Sequence, residues 1–313
     1  MLGFINRLFF LHIIFCVLNP VRAQDQDTIQ KIDLENVIVK SARINVNNKQ
    51  VPFSVSIKNF NKDVNYSQKS SLIDFTNSIP GLYASSSNNF SQDMRISIRG
   101  FGARSAFGIR GIKLIVDGIP ETTPDGQSQL DNLPLGLISN IEVLRGPSSI
   151  LYGNSSGGVI SINTLSNSSE PYYKTSAIFG AYQYQSIQKT RVFDMKNSSL
   201  VVHYDRRKSN GYRDFSGYKS RILNLKYLSD LDENNKIVLQ VNYTDSPYAY
   251  DAGGLKLSEV EEDRRQSRKN NFDYDTYEKV RHVKSGFSWK HLNDNNSFVD
   301  SYFFYQKRDF NSK

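Results

Sequence analysis

The sequence predicts a mainly β protein in two parts: a small mixed α+β sheet over residues 50–165, then antiparallel strands over residues 171–313 with the pattern of an incomplete transmembrane barrel. Three observations carry that prediction. The stretch 95–164 repeats one local grammar, a short β-rich run at period two, then Arg-Gly or Asp-Gly, then a tight turn, as in ISIRG (96–100) and KLIVDG (113–118). Beyond residue 171, apolar and polar side chains alternate along whole strands. The connections between those strands are alternately short and long, which is the habit of a barrel that crosses a membrane.

Taken in order, residues 1–23 have the layout of a secretory signal: Arg7 near the start, an apolar core over 8–18 broken only by His12, and the small residue Ala23 at the end. That core falls short of the ~20 apolar residues a spanning helix needs. Residues 24–49 are rich in Asp, Gln, Asn and Lys and have little to bury, so a flexible tether is expected. One apolar patch interrupts it, Leu34-Glu35-Asn36-Val37-Ile38-Val39. Its three consecutive β-branched residues suit strand addition to a partner, or the first strand of the following domain. VPFSVSI (51–57) alternates and predicts a strand. Leu72, Phe75 and Ile79 at helical spacing predict a short helix over 71–79, stopped by Pro80-Gly81. Residues 82–92, 102–111 and 121–131 are expected to be loops. Gly100, Gly118, Gly146 and Gly153 are expected at corners that only glycine adopts cheaply.

In the second part, Leu200, Val202 and Tyr204 interleave with Val201, His203 and Asp205, and Leu223, Leu225 and Tyr227 interleave with Asn224 and Lys226. Leu239, Val241 and Tyr243 likewise alternate with Gln240, Asn242 and Thr244, while Val283, Phe287 and Trp289 lie opposite Lys284, Ser288 and Lys290. A soluble half-buried sheet alternates in the same way, so the connections are what discriminate. Short ones are expected near 195–199, 231–235 and 293–296, and long ones around 209–217 and 246–275. The last strand, 298–305, is apolar on both faces, which leaves its orientation open. About seven strands result, whereas bacterial barrels have an even number, and an open strand edge in lipid is not viable. A fragment or a truncated product is therefore expected.

Composition removes several function classes. The formal charge of +8 falls to +6 without Arg7 and Arg22, a balance that permits anionic partners and selects none. The single cysteine, Cys16, lies in the leader, so the mature chain has no thiol chemistry. GFGARS (100–105) lacks the third glycine of a dinucleotide loop, and YGNSSGG (152–158) lacks the lysine of a phosphate loop. Four scattered histidines give no metal spacing. No catalytic residue, metal or cofactor is expected.

Three motifs resemble the plug domain of TonB-dependent outer-membrane receptors: Ile98-Arg99-Gly100-Phe101-Gly102, Val116-Asp117-Gly118-Ile119-Pro120, and the long ordered segment IEVLRGPSSILYGNSSGGVI (141–160). The resemblance is specific over 51–164 and architectural beyond 171. It implies a plug domain at 50–165 seated in a β-barrel of the outer membrane of a Gram-negative bacterium. It also implies that residues 34–39 are the TonB box, which pairs with the periplasmic energy transducer, and that Arg99 and Arg145 are a latch to barrel glutamates. By the same resemblance the outer plug loops would bind ligand through Arg104, Arg110, Thr122, Thr123, Gln127 and Gln129. Arginines beside amides and hydroxyls suit an anionic, oxygen-rich iron chelate, and the run 117–129 (DGIPETTPDGQSQ) resembles the plug loop of ferric-citrate and related siderophore receptors. The implied function is gated uptake of that chelate by a monomer in contact with outer-membrane lipid and not with nucleic acid. Two alternatives stay open: another ligand, such as cobalamin, a different metal complex or a carbohydrate, and a truncated binding or adhesion protein that transports nothing.

Overall fold

The computed structural model describes residues 38–39, 46–47, 53–60, 70–85, 90–91, 94–105, 108–166, 172–295 and 297–313. The leader and residues 34–37 of the apolar patch lie outside the described residues. The chain from Val37 onward forms one compact unit. Its first elements are Ile38–Val39 (β1) and Val46–Asn47 (β2), paired antiparallel. Ile38 and Val39 of the apolar patch therefore take extended backbone.

An inner domain follows, with strands Ser54–Asn59 (β3), Leu82–Ser85 (β4), Arg95–Ile98 (β5), Ile109–Arg110 (β6), Ile112–Val116 (β7), Ile119–Pro120 (β8), Gln127–Ser128 (β9), Ile138–Arg145 (β10) and Gly158–Thr164 (β11). Its main sheet has the order β3-β10-β11-β7-β8, with β11 and β7 parallel. β10 and β11 lie at the centre and are buried almost throughout. Ile141, Val143, Ile160, Ile162, Ile112 and Leu114 pack with Phe75, Ile96 and Ile98 in the principal core.

The corners follow from backbone chemistry. Arg99-Gly100 and Asp117-Gly118 both hold positive φ at each central residue, the condition for the type I′ turn that matches strand twist. Gly146 and Gly153 also sit at positive φ. Gly158 is tightly constrained: φ is +135°, and a Cβ there would stand 2.2 Å from the Leu144 carbonyl oxygen.

Several expectations need correction. Residues 82–85 form β4 and not loop, because Leu82 and Ala84 pack on the core and the strand pairs with β5. The helix shrinks to one turn, Ile73–Thr76, where the Thr76 hydroxyl donates back to the Leu72 carbonyl at 3.1 Å. Ile79 reaches the core from the following turn. The two expected outer loops contain β6 and β9, which pair with each other.

Seven antiparallel strands form the wall in sequential order: Tyr172–Gly180 (β12), Tyr184–Met195 (β13), Ser198–Ser209 (β14), Tyr218–Asp230 (β15), Asn235–Tyr250 (β16), Tyr277–Leu292 (β17) and Phe298–Ser312 (β18). Connections 196–197, 231–234 and 293–297 share one end, and 181–183, 210–217 and 251–276 share the other. The longest carries two short helices, Leu257–Glu262 and Lys269–Asp273. Arg213 of the 210–217 loop fastens it by donating to the carbonyls of Ala252, Gly253 and Gln266.

The burial pattern separates a membrane wall from a soluble sheet. His203, Asp205, Asn224, Lys226, Asn242, Thr244, His282 and Lys284 are buried, while Tyr204, Leu223, Leu239, Val241, Tyr243 and Val283 are exposed. Polar side chains face the inner domain and apolar ones face outward, the reverse of a soluble sheet. Register then settles β18: Arg308 pairs with His282 and Gln306 with Lys284, so the even-numbered residues face inward.

Candidate functional site

Among the described residues, three ion pairs carried by residues 117–131 join the inner domain to the wall. Asp117, at its type I′ turn, accepts from the Thr164 backbone N–H at 2.8 Å and from the Thr164 hydroxyl at 2.6 Å. It also pairs with the Lys226 ammonium of β15 at 3.0 Å. Burial pushes its carboxyl up, but Lys226 and the Thr164 hydrogen bonds outweigh burial and hold it below its ordinary range. Glu121 pairs with Lys284 of β17, both side chains only 6% exposed, and also accepts from Asn132 Nδ2 at 3.2 Å. Asp131 takes both arms of the Arg308 guanidinium of β18 at 2.9 and 2.8 Å. Apolar packing joins the same interface, with Leu137 against Val192 and Val201. Gly136 sits so close to the wall that a Cβ would lie 2.5 Å from Gln188 Oε1 and 2.8 Å from His203 Cε1.

Above these pairs, at the end of the wall that bears the long connections, lies a cleft of about 690 Å³. Its inner-domain side is Glu121, Thr123, Gln127, Gln129 and Asn132; its wall side includes Glu278, His282, Gln306, Arg308 and Phe310. Thr123, Gln127 and Gln129, expected from the sequence as ligand contacts, are thus brought together. Arg110 stands beside them, donating to Gln127 Oε1 at 3.0 Å and pairing with Asp125 at 3.5 Å. The Thr123 hydroxyl, then Gln127 N–H and Arg110, hold the Asp125 carboxyl below its ordinary range.

Two expected ligand residues fall elsewhere. Thr122 is buried, accepting from the Leu114 N–H at 2.9 Å and bonding to Ser128 Oγ at 2.6 Å, so its hydroxyl holds β7 to the turn. Arg104 is exposed and does not line the cleft.

The two arginines expected as a latch make their contacts here within the inner domain. Arg145 donates to the Pro80 carbonyl and Ser54 Oγ, both at 2.8 Å, and to Ser56 Oγ, so it fastens β3 and the 80–81 turn within the inner domain. The Arg99 backbone N–H donates to the Gly81 carbonyl at 2.9 Å, and its side chain flanks Gly81 opposite Arg145. Burial and then the Arg99 charge push the Arg145 pKa down. Among the described residues neither arginine has a carboxylate partner from the wall. The wall pairing that is present has the opposite polarity, inner-domain carboxylates meeting wall cations. Sequence reasoning missed it, although Lys226 and Lys284 stand at inward positions of alternating strands, where a cation requires a partner.

Comparison with known proteins places this geometry. Residues 47–159 match the family described as TonB-dependent Receptor Plug Domain. The chain is 25% identical over 214 residues to a vitamin B12 transporter, BtuB, of Vibrio vulnificus, covering 62% of this chain and 32% of that protein. It is 36% identical over 97 residues to a hemin receptor of Yersinia enterocolitica, 30% of this chain and 13% of that one. Its fold is similar to the unliganded ferric citrate transporter FecA, with a TM-score of 0.68 and 19% identity over 83% of this chain and 40% of that one. The chain spans about a third of the length of the vitamin B12 transporter it matches.

Proposed function

We propose, since this chain belongs to the TonB-dependent receptors of the Gram-negative outer membrane, that it serves energy-coupled uptake of a ligand bound in the outer cleft. The observation that carries the reading is where the cleft lies. Its floor is the segment of the inner domain that is ion-paired to the wall, so a ligand seated there touches both bodies whose separation opens a path. The transducer is assigned to the patch 34–39, where strand addition supplies main-chain hydrogen bonds to an extended partner. Beyond the β1–β2 pair, a pull on that tether reaches β3, which among the described residues is an edge strand paired with β10 alone.

The ligand is a metal chelate, with an iron chelate as the first choice. Support comes from the run 117–129, which supplies Thr123, Gln127 and Gln129 to the cleft, and from relatives whose names include ferric citrate, hemin and vitamin B12. The test is uptake of radiolabelled ferric siderophores, uncharged ones among them, and of cyanocobalamin by cells producing the receptor, with and without the transducer. Uptake that disappears with the transducer is expected. Uptake that is equal in both strains would remove the energy-coupled reading.

A further inference from the structure

Among the described residues, the cations around the cleft are each held by a carboxylate. Arg308 has both arms on Asp131, Lys284 is held by Glu121, and Arg110 is shared by Asp125 and Gln127. Glu278 also lines the cleft. An incoming ligand is left with the amides of Gln129, Asn132 and Gln306, the hydroxyls of Thr123 and Ser312, and the ring of Phe310, which is 50% exposed. Arg104, the other cation the sequence offers near this region, does not line the cleft.

We infer that the cleft takes an electrically neutral ligand with several amide or hydroxyl groups and one apolar face, in preference to a polyanionic chelate. The inference rests on the uptake reading above and narrows it. To bind a polyanion, the cleft has to draw Arg308 off Asp131 or Lys284 off Glu121, leaving a carboxylate uncompensated beside another negative charge. A neutral ligand meets no such cost. Its amides and hydroxyls exchange water for side-chain partners of equal quality, and its apolar face covers Phe310. The Thr123 and Arg110 bonds to the 125–127 turn hold these partners in place before a ligand arrives.

The test is equilibrium binding to the purified outer-membrane receptor with three probes: cyanocobalamin, neutral overall with an amide rim; a maltodextrin, neutral and hydroxyl-rich; and ferric citrate, an anion. Each is measured at low salt and at about 1 M salt, where screening shrinks to ~3 Å. A neutral probe is expected to bind with affinity that changes less than about twofold across that range, with no competition from ferric citrate. Asp131→Asn, which frees Arg308, is expected to gain ferric citrate binding by about tenfold or more at low salt and to lose it at high salt. Ferric citrate binding to the unaltered receptor that collapses with salt overturns the inference, as does failure of both neutral probes. Transducer-independent uptake strikes the uptake reading instead, so the two failures are distinct.

Discussion

Asp117 joins three parts of the molecule with one carboxylate. It sits at the turn between β7 and β8, accepts both Thr164 hydrogen bonds at the end of β11, and pairs with Lys226 of the wall. Its folded pKa lies below the ordinary value of 3.8. The stability it contributes is therefore complete above that value and is lost as pH falls below it, through the lower folded pKa. Asp117→Asn is expected to weaken docking of the inner domain at neutral pH and to flatten the acid limb of a melting-temperature profile taken downward from about pH 5. An acid limb unchanged by the substitution would contradict this assignment. The buried Glu121 and Lys284 pair makes a second test. Lys284→Met leaves a buried carboxylate unpaired and is expected to cost about 3–5 kcal/mol, whereas the double variant with Glu121→Gln recovers most of that loss. Equal destabilisation of single and double variants in denaturant titration would show that the two groups are not coupled.

At the scale of elements, β3 and β11 occupy opposite ends of the stability range. β3 lies on the sheet edge with a partly exposed pattern, while β11 is paired on both sides and buried. Hydrogen exchange is expected to open the β3 amides well before those of β10 and β11, and simultaneous exchange would count against a separable edge. Gly158→Ala forces a Cβ against the Leu144 carbonyl at a φ that side chains rarely adopt. A loss of at least about 3 kcal/mol is expected, read as a fall in melting temperature. These elements were largely legible in the sequence, because the motifs at 98–102, 116–120 and 141–160 specify turn chemistry and strand period together. What escaped was β4, whose four residues are too few to show a period, and the helix at 73–76, where Ile79 keeps helical spacing although the chain has already turned. The ligand residues divided for a related reason. Thr122 and Thr123 are chemically alike in sequence, and only the register of β7 against the turn sends the first inward and leaves the second beside the cleft.

For the whole molecule, the outward face of the wall is its largest commitment. Leu239, Val241 and Tyr243 project from β16 away from the inner domain, and Asn242 and Thr244 project toward it. In lipid, Val241→Lys is expected to cost about 2–4 kcal/mol near the midplane. Asn242→Gln on the same strand should leave membrane assembly intact, as heat-modifiable mobility on gels would report. The alternation that predicts this was readable from residue 200 onward, but the pairing of wall cations with inner-domain carboxylates was not, since it joins residues more than a hundred positions apart. Arg145 adds a mechanical consequence. By gripping Ser54 and Ser56 it closes the leading end of β3, the end at which the proposed pull on the preceding tether would arrive. In that proposal the load would meet this guanidinium at the first rung of the β3–β10 ladder. Under the proposed uptake Arg145 would serve as a fuse: its bonds to Ser54, Ser56 and Pro80 would set the force at which peeling starts, and once they yield each remaining rung would be exposed in turn.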